Sequence, residues 1–306
     1  VAQPLTMSPG ATGEILRYCR GKLFLFMPNV CDAECAFCYV APTRVETARV
    51  PAGVLDRAMA LFAGLAHKGL REVRITGGEP LVFQNLPDLV AELRARGLAW
   101  TLLTNGIRLK ASLGWLIEHR PSKITVSVHS LRQAASVFGR PMPVDEIVDA
   151  ITTLVRHDIP VSATIVGLPA VLGDLHDTLS GLEAAGVREY KLIHPNDSRF
   201  PVAPAEFRAT ARRARQALSP ASRLRVSDTT ATGCLLRRQG ELSVTLPRFE
   251  WSWCCATVGT DSLGVARTVH DFEQVARSLS DRIGAIAGLP CHHQGFCPIA
   301  LAEPEK

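Results

Sequence analysis

Short apolar runs and longer amphipathic stretches alternate along the first two thirds of the chain. Residues 22–27 (KLFLFM), 72–76 (EVRIT), 99–103 (AWTLL), 123–128 (KITVSV), 161–166 (VSATIV) and 190–193 (YKLI) are rich in β-branched, aromatic and aliphatic residues and short enough for strands. Between and after them, residues 54–67, 86–96, 113–118, 144–157, 174–185 and 204–218 carry apolar positions at helical spacing. Gly97 and Gly186 stop the helices they follow, and Pro143 suits the first turn of the next. Six β/α units in succession predict an α/β fold with a parallel sheet, and right-handed crossovers curl it into a partial (β/α)6 TIM-like barrel. Past residue 218 the pattern changes. Residues 242–246 and 258–269 read as short β segments, with a turn at 261–264, and 271–287 as a helix. The expected organisation is an N-terminal extension over 1–19, the barrel over 20–218 and a small C-terminal α+β cysteine-rich domain over 219–306.

In such folds functional groups gather at the C-terminal ends of the strands. The chemistry-bearing residues of this chain fall there. A cysteine cluster follows the first predicted strand, Gly77-Gly78-Glu79-Pro80 the second, Thr104-Asn105 the third, His129-Ser130 the fourth, Gly167 the fifth and His194-Pro195-Asn196-Asp197 the sixth.

Composition narrows the class of protein. Hydrophobic residues make up 47% of the 306 and charged residues 21%, the balance of a globular protein. No apolar run reaches the roughly 18 residues a membrane span needs, and the start lacks the pattern of a signal peptide, so a cytoplasmic location is expected. The net charge of +5 is mild, and its densest run, Arg208 to Arg225, reads as a solvated helix face, not a nucleic-acid surface. Nine cysteines are many for a reducing compartment and point to metal ligation or catalysis. Cys31, Cys35 and Cys38 sit together, Cys234, Cys254, Cys255, Cys291 and Cys297 fall in the last quarter, and Cys19 stands alone.

The early cluster reads C-x3-C-x2-C, with Phe37 before its third cysteine. Three thiolates can ligate three irons of a [4Fe–4S] cube, leaving the fourth open to a small molecule. Zinc instead pairs such a motif with a second close pair of Cys or His, and none follows before Cys234. This motif, together with Gly77-Gly78-Glu79-Pro80 and Thr104-Asn105-Gly106, resembles that of the radical S-adenosylmethionine (SAM) superfamily. The resemblance covers about residues 20 to 200 and implies that the open iron chelates SAM. It further implies that an external one-electron reductant, such as flavodoxin or ferredoxin, drives cleavage to methionine and a 5′-deoxyadenosyl radical. By the same resemblance Gly77, Gly78 and Glu79 hold the SAM amino group, and Phe37, Asn105, Ser127, Ser130 and Gly167 lie around the rest of the cofactor. Paired glycines let backbone approach a ligand closely, and a carboxylate suits an ammonium.

The later cysteines look like the ligands of a second, auxiliary [4Fe–4S] cluster in a twitch- or SPASM-like domain, with Cys234, Cys254, Cys291 and Cys297 as the set. Cys255 would then be free to donate a hydrogen atom, with His194 and Asp197 as acid–base groups, and His129 and Asn196 beside them for substrate. The final pair here is C-x5-C where that domain type has C-x2-C, and a zinc site using His292 or His293 is an alternative. The expected function is hydrogen abstraction from a small polar metabolite of specialised or antibiotic biosynthesis, a sugar, aminocyclitol or nucleoside, giving dehydrogenation, epimerisation or rearrangement. Alternatives are radical modification of a ribosomally made peptide, sulfur insertion, and a member of the molybdenum-cofactor cyclase group. A non-catalytic iron–sulfur carrier or sensor would have no use for the Gly-Gly-Glu-Pro motif.

Overall fold

A computed structural model describes residues 12–38, 47–195, 199–227, 241–253 and 262–286, with side chains through residue 281. In chain order the elements are α1 (Thr12–Tyr18), β1 (Lys22–Phe26), α2 (Ala52–Lys68), β2 (Glu72–Thr76), α3 (Leu86–Ala95), β3 (Ala99–Thr104) and α4 (Leu113–His119). Then come β4 (Lys123–Ser127), α5 (Ala134–Phe138), α6 (Val144–Arg156), β5 (Val161–Val166), α7 (Pro169–Ala184), β6 (Glu189–Ile193), α8 (Pro204–Ala217) and β7 (Arg223–Ser227). The chain closes with β8 (Ser243–Thr245), β9 (Glu250–Ser252), β10 (Gly264–Val265) and α9 (Val269–Ile286). All six expected strands are present, in an α/β fold of mostly parallel strands.

The described residues divide into two compact units. The first holds 12–30, 47–100, 241–253 and 262–286. Its strand order is β10-β9-β8-β1-β2, with β1 parallel to both β2 and β8, and β9 antiparallel to β8 and β10. Leu23 and Leu25 of β1 and Val73 and Ile75 of β2 alternate with less buried residues, so a single register sets both strands' buried faces. Helix α2 buries Val54, Leu55, Ala58, Met59, Leu61, Phe62 and Leu65, the helical period of its apolar positions. It stops at Gly69, whose φ of 119° ends the helix and whose amide reaches the carbonyls of Leu65 and Ala66. The C-terminal stretch belongs to this unit, since β8 pairs Ser243–Thr245 directly with Phe24–Phe26 of β1. Helix α9 packs Phe272 edge-on to Trp251 at 4.7 Å, and the Trp251 indole N–H donates to the Ala266 carbonyl at 3.0 Å.

The second unit holds 31–38, 101–195 and 199–227. Its strands run β3-β4-β5-β6-β7, all parallel. Strand β7 lies beyond the expected end of the barrel. Its five residues, Arg-Leu-Arg-Val-Ser, do alternate polar and apolar, but only Leu224 is buried and so short a run is a weak strand signal. Helices α1 and α5, of 7 and 5 residues, are too short for a periodic signal. Helix α7 begins at Pro169, five residues ahead of the expected 174, with proline in its first turn. Residues 258–269, read as β, contain only Gly264–Val265 as strand among those described, and α9 starts at Val269. On α8 the buried face is Phe207, Thr210, Ala211 and Ala214, while Arg208, Arg212, Arg213 and Arg215 are exposed. Among the described residues no helix is long and apolar enough to cross a membrane.

Removing the Phe272 ring from its contact with Trp251 is expected to destabilise the chain by about 3–5 kcal/mol, the range for a buried Phe→Ala change. Chemical denaturation of Phe272→Ala, followed by tryptophan fluorescence, measures it.

Candidate active site

In the first unit, β1 and β2 end side by side, and the backbone that continues from each is pressed against the other. A Cβ on Gly77 would lie 2.4 Å from the Met27 carbonyl oxygen, and one on Gly78 would lie 2.1 Å from that of Val30. Gly77 also has a φ of 122°, which a side chain would strain. The Glu79 amide completes the contact, donating to the Val30 carbonyl at 2.7 Å. The Glu79 side chain is buried, and its Oε1 accepts the Leu81 amide at 3.0 Å, capping the short 3-10 turn Pro80–Val82. A carboxylate buried in this way suits a cationic partner. Cys19, also in this unit, is buried among apolar neighbours. Burial, with the charge of Glu241 second, pushes its thiol up to about 12, so it is a neutral core residue.

In the second unit, Cys31, Cys35 and Cys38 lie half-buried on one loop. Cys31 Sγ accepts the Ala33 amide at 3.4 Å, and Asn105 Nδ2 approaches it at 3.8 Å. Asn105 stands at the end of β3, where its Oδ1 accepts the Ile107 amide at 2.9 Å. That local turn fixes the amide orientation and aims the NH2 at the loop. The same NH2 donates to Asp32 Oδ1 at 2.9 Å, and Arg108 Nε donates to Asp32 Oδ2 at 2.8 Å. Arg140 donates to the Asp32 carbonyl and Arg199 to the Ala36 carbonyl, the latter at 2.7 Å. The Glu34 amide donates to the Phe138 carbonyl at 2.8 Å. Three segments of the unit, around 105–108, 138–140 and 199, therefore hold the loop.

Phe37, between the second and third cysteines, meets His129 edge-on at 5.0 Å, and Phe138 stacks on the same ring at 5.0 Å. His129 Nδ1 accepts the Val166 amide at 3.0 Å, which places the proton of the neutral ring on Nε2. Burial pushes this imidazole down to about 3. His129 is therefore not the open-mouthed substrate group its position after β4 suggests. It is a packed neutral ring that joins the cysteine loop to the end of β5.

Ser127 ends β4 and is half-buried, at the edge of an apolar crevice that Leu131, Phe138, Met142 and Ile147 also line. Ser130 Oγ accepts the amides of Arg132 and Gln133 at 3.1 and 2.7 Å and donates to Asp174 Oδ2, so its hydroxyl is committed to the turn that opens α5. The Gly167 amide donates to the Ile193 carbonyl at 2.9 Å, and a Cβ there would meet the Phe207 ring at 2.8 Å. His194 is buried. Its Nε2–H donates to the Val202 carbonyl at 3.0 Å, and its ring meets Phe207 edge-on at 4.8 Å. Asn196, Asp197, Cys234, Cys254, Cys255, Cys291, His292, His293 and Cys297 lie outside the described residues. The sequence reading missed Asp32, Arg108, Arg140 and Arg199. Asp32 sits inside the motif but at an unassigned spacer position, and nothing local marks the three arginines.

Residues 25–180 match the family model described as the radical SAM superfamily. The chain belongs to that superfamily. It is accordingly an enzyme of a family whose cofactors are a [4Fe–4S] cluster and SAM. Among curated relatives, a GTP 3′,8-cyclase of Caulobacter vibrioides is 34% identical over 145 residues, 44% of this chain and 40% of the relative. An S-adenosylmethionine-dependent nucleotide dehydratase of Lacinutrix mariniflava is 31% identical over 121 residues, 36% of this chain and 24% of the relative. A probable GTP 3′,8-cyclase of Sulfurisphaera tokodaii is 26% identical over 175 residues, 55% of each chain. The match thus spans about a quarter to about half of these relatives' length. Two solved structures share the fold. Streptococcus suis SuiB bound to its precursor peptide SuiA has a TM-score of 0.68 at 13% identity, covering 93% of this chain and 73% of that one. Native anSMEcpe with bound AdoMet has a TM-score of 0.66 at 11% identity, covering 85% and 81%.

The loop's donor set fits the cluster this family uses. Among the described residues no three His, Cys, Asp or Glu side chains converge as a single metal ion requires. A four-iron cube makes a different demand, with each thiolate on a separate iron. Three half-buried cysteines on one loop, with N–H groups directed at Cys31 sulfur, supply one thiolate for each of three irons.

Because the folded His129 stays neutral while an unfolded one titrates near 6.5, the unfolded chain binds the extra proton between about pH 6.5 and pH 3. Stability should therefore fall as pH drops below 6.5, by at most about 1.4 kcal/mol per unit from this group. His129→Gln should flatten that slope. Urea denaturation of both proteins at pH 7, 6 and 5 measures it.

Proposed function

We propose that Cys31, Cys35 and Cys38 carry the [4Fe–4S] cluster at which SAM is cleaved, and that the substrate is a nucleoside or nucleotide. The observation that carries the first part is the set of three half-buried cysteines on one loop with amide donors aimed at Cys31. The second part rests on the relatives named above, a GTP 3′,8-cyclase and a nucleotide dehydratase. It selects the nucleoside from the substrate classes the sequence suggested, and gives the sugar and aminocyclitol no support. When bound, the cluster supplies the electron that splits SAM, yielding the radical that takes a hydrogen atom from substrate.

The protein's own residues do the rest. Glu79, buried, receives the SAM ammonium, and Gly77-Gly78, packed against the Met27 and Val30 carbonyls, fix the backbone from which it projects. Phe37, held against His129, and the ends of β4 and β5 at Ser127 and Gly167 border the nucleoside part of SAM. Ser130 acts through the turn it caps. Asp197 is the acid–base group we would test; His194, expected from its position to pair with it, is held in packing by Val202 and Phe207, and an external one-electron reductant completes the reaction. Cys234, Cys254, Cys291 and Cys297 would hold a second four-iron cluster, with Cys255 as a hydrogen-atom donor, in an oxidation, epimerisation or rearrangement.

Anaerobic reconstitution with iron, sulfide, SAM and dithionite should yield 5′-deoxyadenosine, and Cys31→Ala or Cys38→Ala should abolish it. No 5′-deoxyadenosine from the wild-type chain would end the proposal. Glu79→Gln should raise the SAM KM at least about tenfold, the loss of one charged contact. Substrate-dependent consumption of SAM with a nucleotide panel tests the second part. Two clusters would give about eight irons per chain, falling to about four in Cys291→Ala/Cys297→Ala.

A further inference from the structure

The cysteine loop carries an acidic residue at an awkward place. Asp32 follows Cys31 directly, and its side chain is only 14% exposed. Three thiolates on a [4Fe–4S] core leave a net negative charge that deepens on reduction. A carboxylate alone beside Cys31 would oppose the incoming electron, and a partly buried site screens that repulsion poorly. The structure answers it with a cation on the carboxylate itself, Arg108, while Arg140 stands at the Asp32 carbonyl. Arg108 Nε lies 2.8 Å from Asp32 Oδ2, while Asn105 Nδ2 takes Oδ1 at 2.9 Å and reaches Cys31 Sγ at 3.8 Å. Arg108 stands three residues past Asn105, on the segment whose turn is fixed by the Asn105 side chain and by Thr104 Oγ1, which accepts the Gly106 amide at 3.1 Å. The guanidinium is therefore delivered to Asp32 by the end of β3.

We propose that Arg108 is a positioning residue for electron entry: by neutralising Asp32 it raises the reduction potential of the cluster on Cys31, Cys35 and Cys38. The inference rests on those cysteines carrying the cluster. It assigns Asp32 and Arg108 as a unit. The carboxylate ties the loop to β3 through Asn105, and the arginine removes the electrostatic penalty of having that carboxylate there. One electron enters from the external one-electron donor, and no other group is oxidised or reduced.

The test is an EPR-monitored redox titration of anaerobically reconstituted wild-type, Arg108→Gln, Arg108→Lys and Asp32→Asn/Arg108→Gln proteins without SAM, with iron counted in each. Arg108→Gln should shift the midpoint to more negative potential at unchanged iron content. Arg108→Lys should stay near wild type, and the double variant should return toward it, because removing the carboxylate removes the need for its partner. A purely structural arginine predicts no such return. An unmoved midpoint in fully loaded Arg108→Gln, or a double variant as low as the single, overturns the inference alone. If Arg108→Gln does not load, the loaded double and Lys variants decide it, a midpoint at wild type supporting the inference and a lower one overturning it. A wild-type chain that binds no iron, or Cys31→Ala with its full complement, overturns the cysteine assignment and this inference with it.

Discussion

Between Val30 and Gly78 the two backbones run too close for any side chain. The Val30 carbonyl occupies the space a Cβ would need, 2.1 Å from it, and the next amide, that of Glu79, donates to the same carbonyl. This contact fixes the direction in which the chain leaves β1. It also buries Glu79, whose carboxylate is left facing inward on a backbone that cannot shift. One steric requirement, two adjacent glycines at the end of one parallel strand, sets both the path of the backbone past Val30 and the position of the acid. The motif is therefore as much a packing device as a binding one.

The cysteine loop solves a complementary problem. Eight residues without regular structure must present three sulfurs in a fixed arrangement. Backbone hydrogen bonds within a helix or sheet are not available, so the loop's carbonyls and its one inward acid are taken by side chains from elsewhere, Asn105, Arg108, Arg140 and Arg199. Three of the four are arginines, whose several N–H groups and permanent charge suit them to reach across to carbonyl and carboxylate oxygens. Aromatic packing adds to this. Phe37, His129 and Phe138 form a layer, and the histidine belongs to it as an apolar ring with one hydrogen bond.

Much of this was legible in the sequence. The six parallel strands announce themselves because each is buried on at least one face, and the helices between them because their apolar stripes keep a 3.6-residue period. The motif residues lie at strand ends because parallel β/α units put their loops there. What stayed hidden was long-range or locally ambiguous. β7 shows one buried side chain, Leu224, among arginines. α1 and α5 are shorter than two turns. His129 and His194 sit at strand ends, as functional residues do, yet both are buried in aromatic packing, and no local pattern separates a ring turned inward from one turned to substrate. Arg108 carries its meaning only through Asp32, far behind it in the chain. The pairing of β8 with β1 is of the same kind, since three residues of strand give no sign of their neighbour.

That last pairing has a consequence for how the molecule is made. The second unit is nearly contiguous, each of its strands β4 to β7 laying down beside the one synthesised just before it. The first is not. Phe24 finds Ser243 only after most of the chain has left the ribosome, so one edge of β1 waits, unpaired, through nearly the whole of translation. An exposed strand edge of that composition invites pairing with other chains. Folding of this protein on the ribosome is thus expected to finish at the end where it began, with the middle already in place.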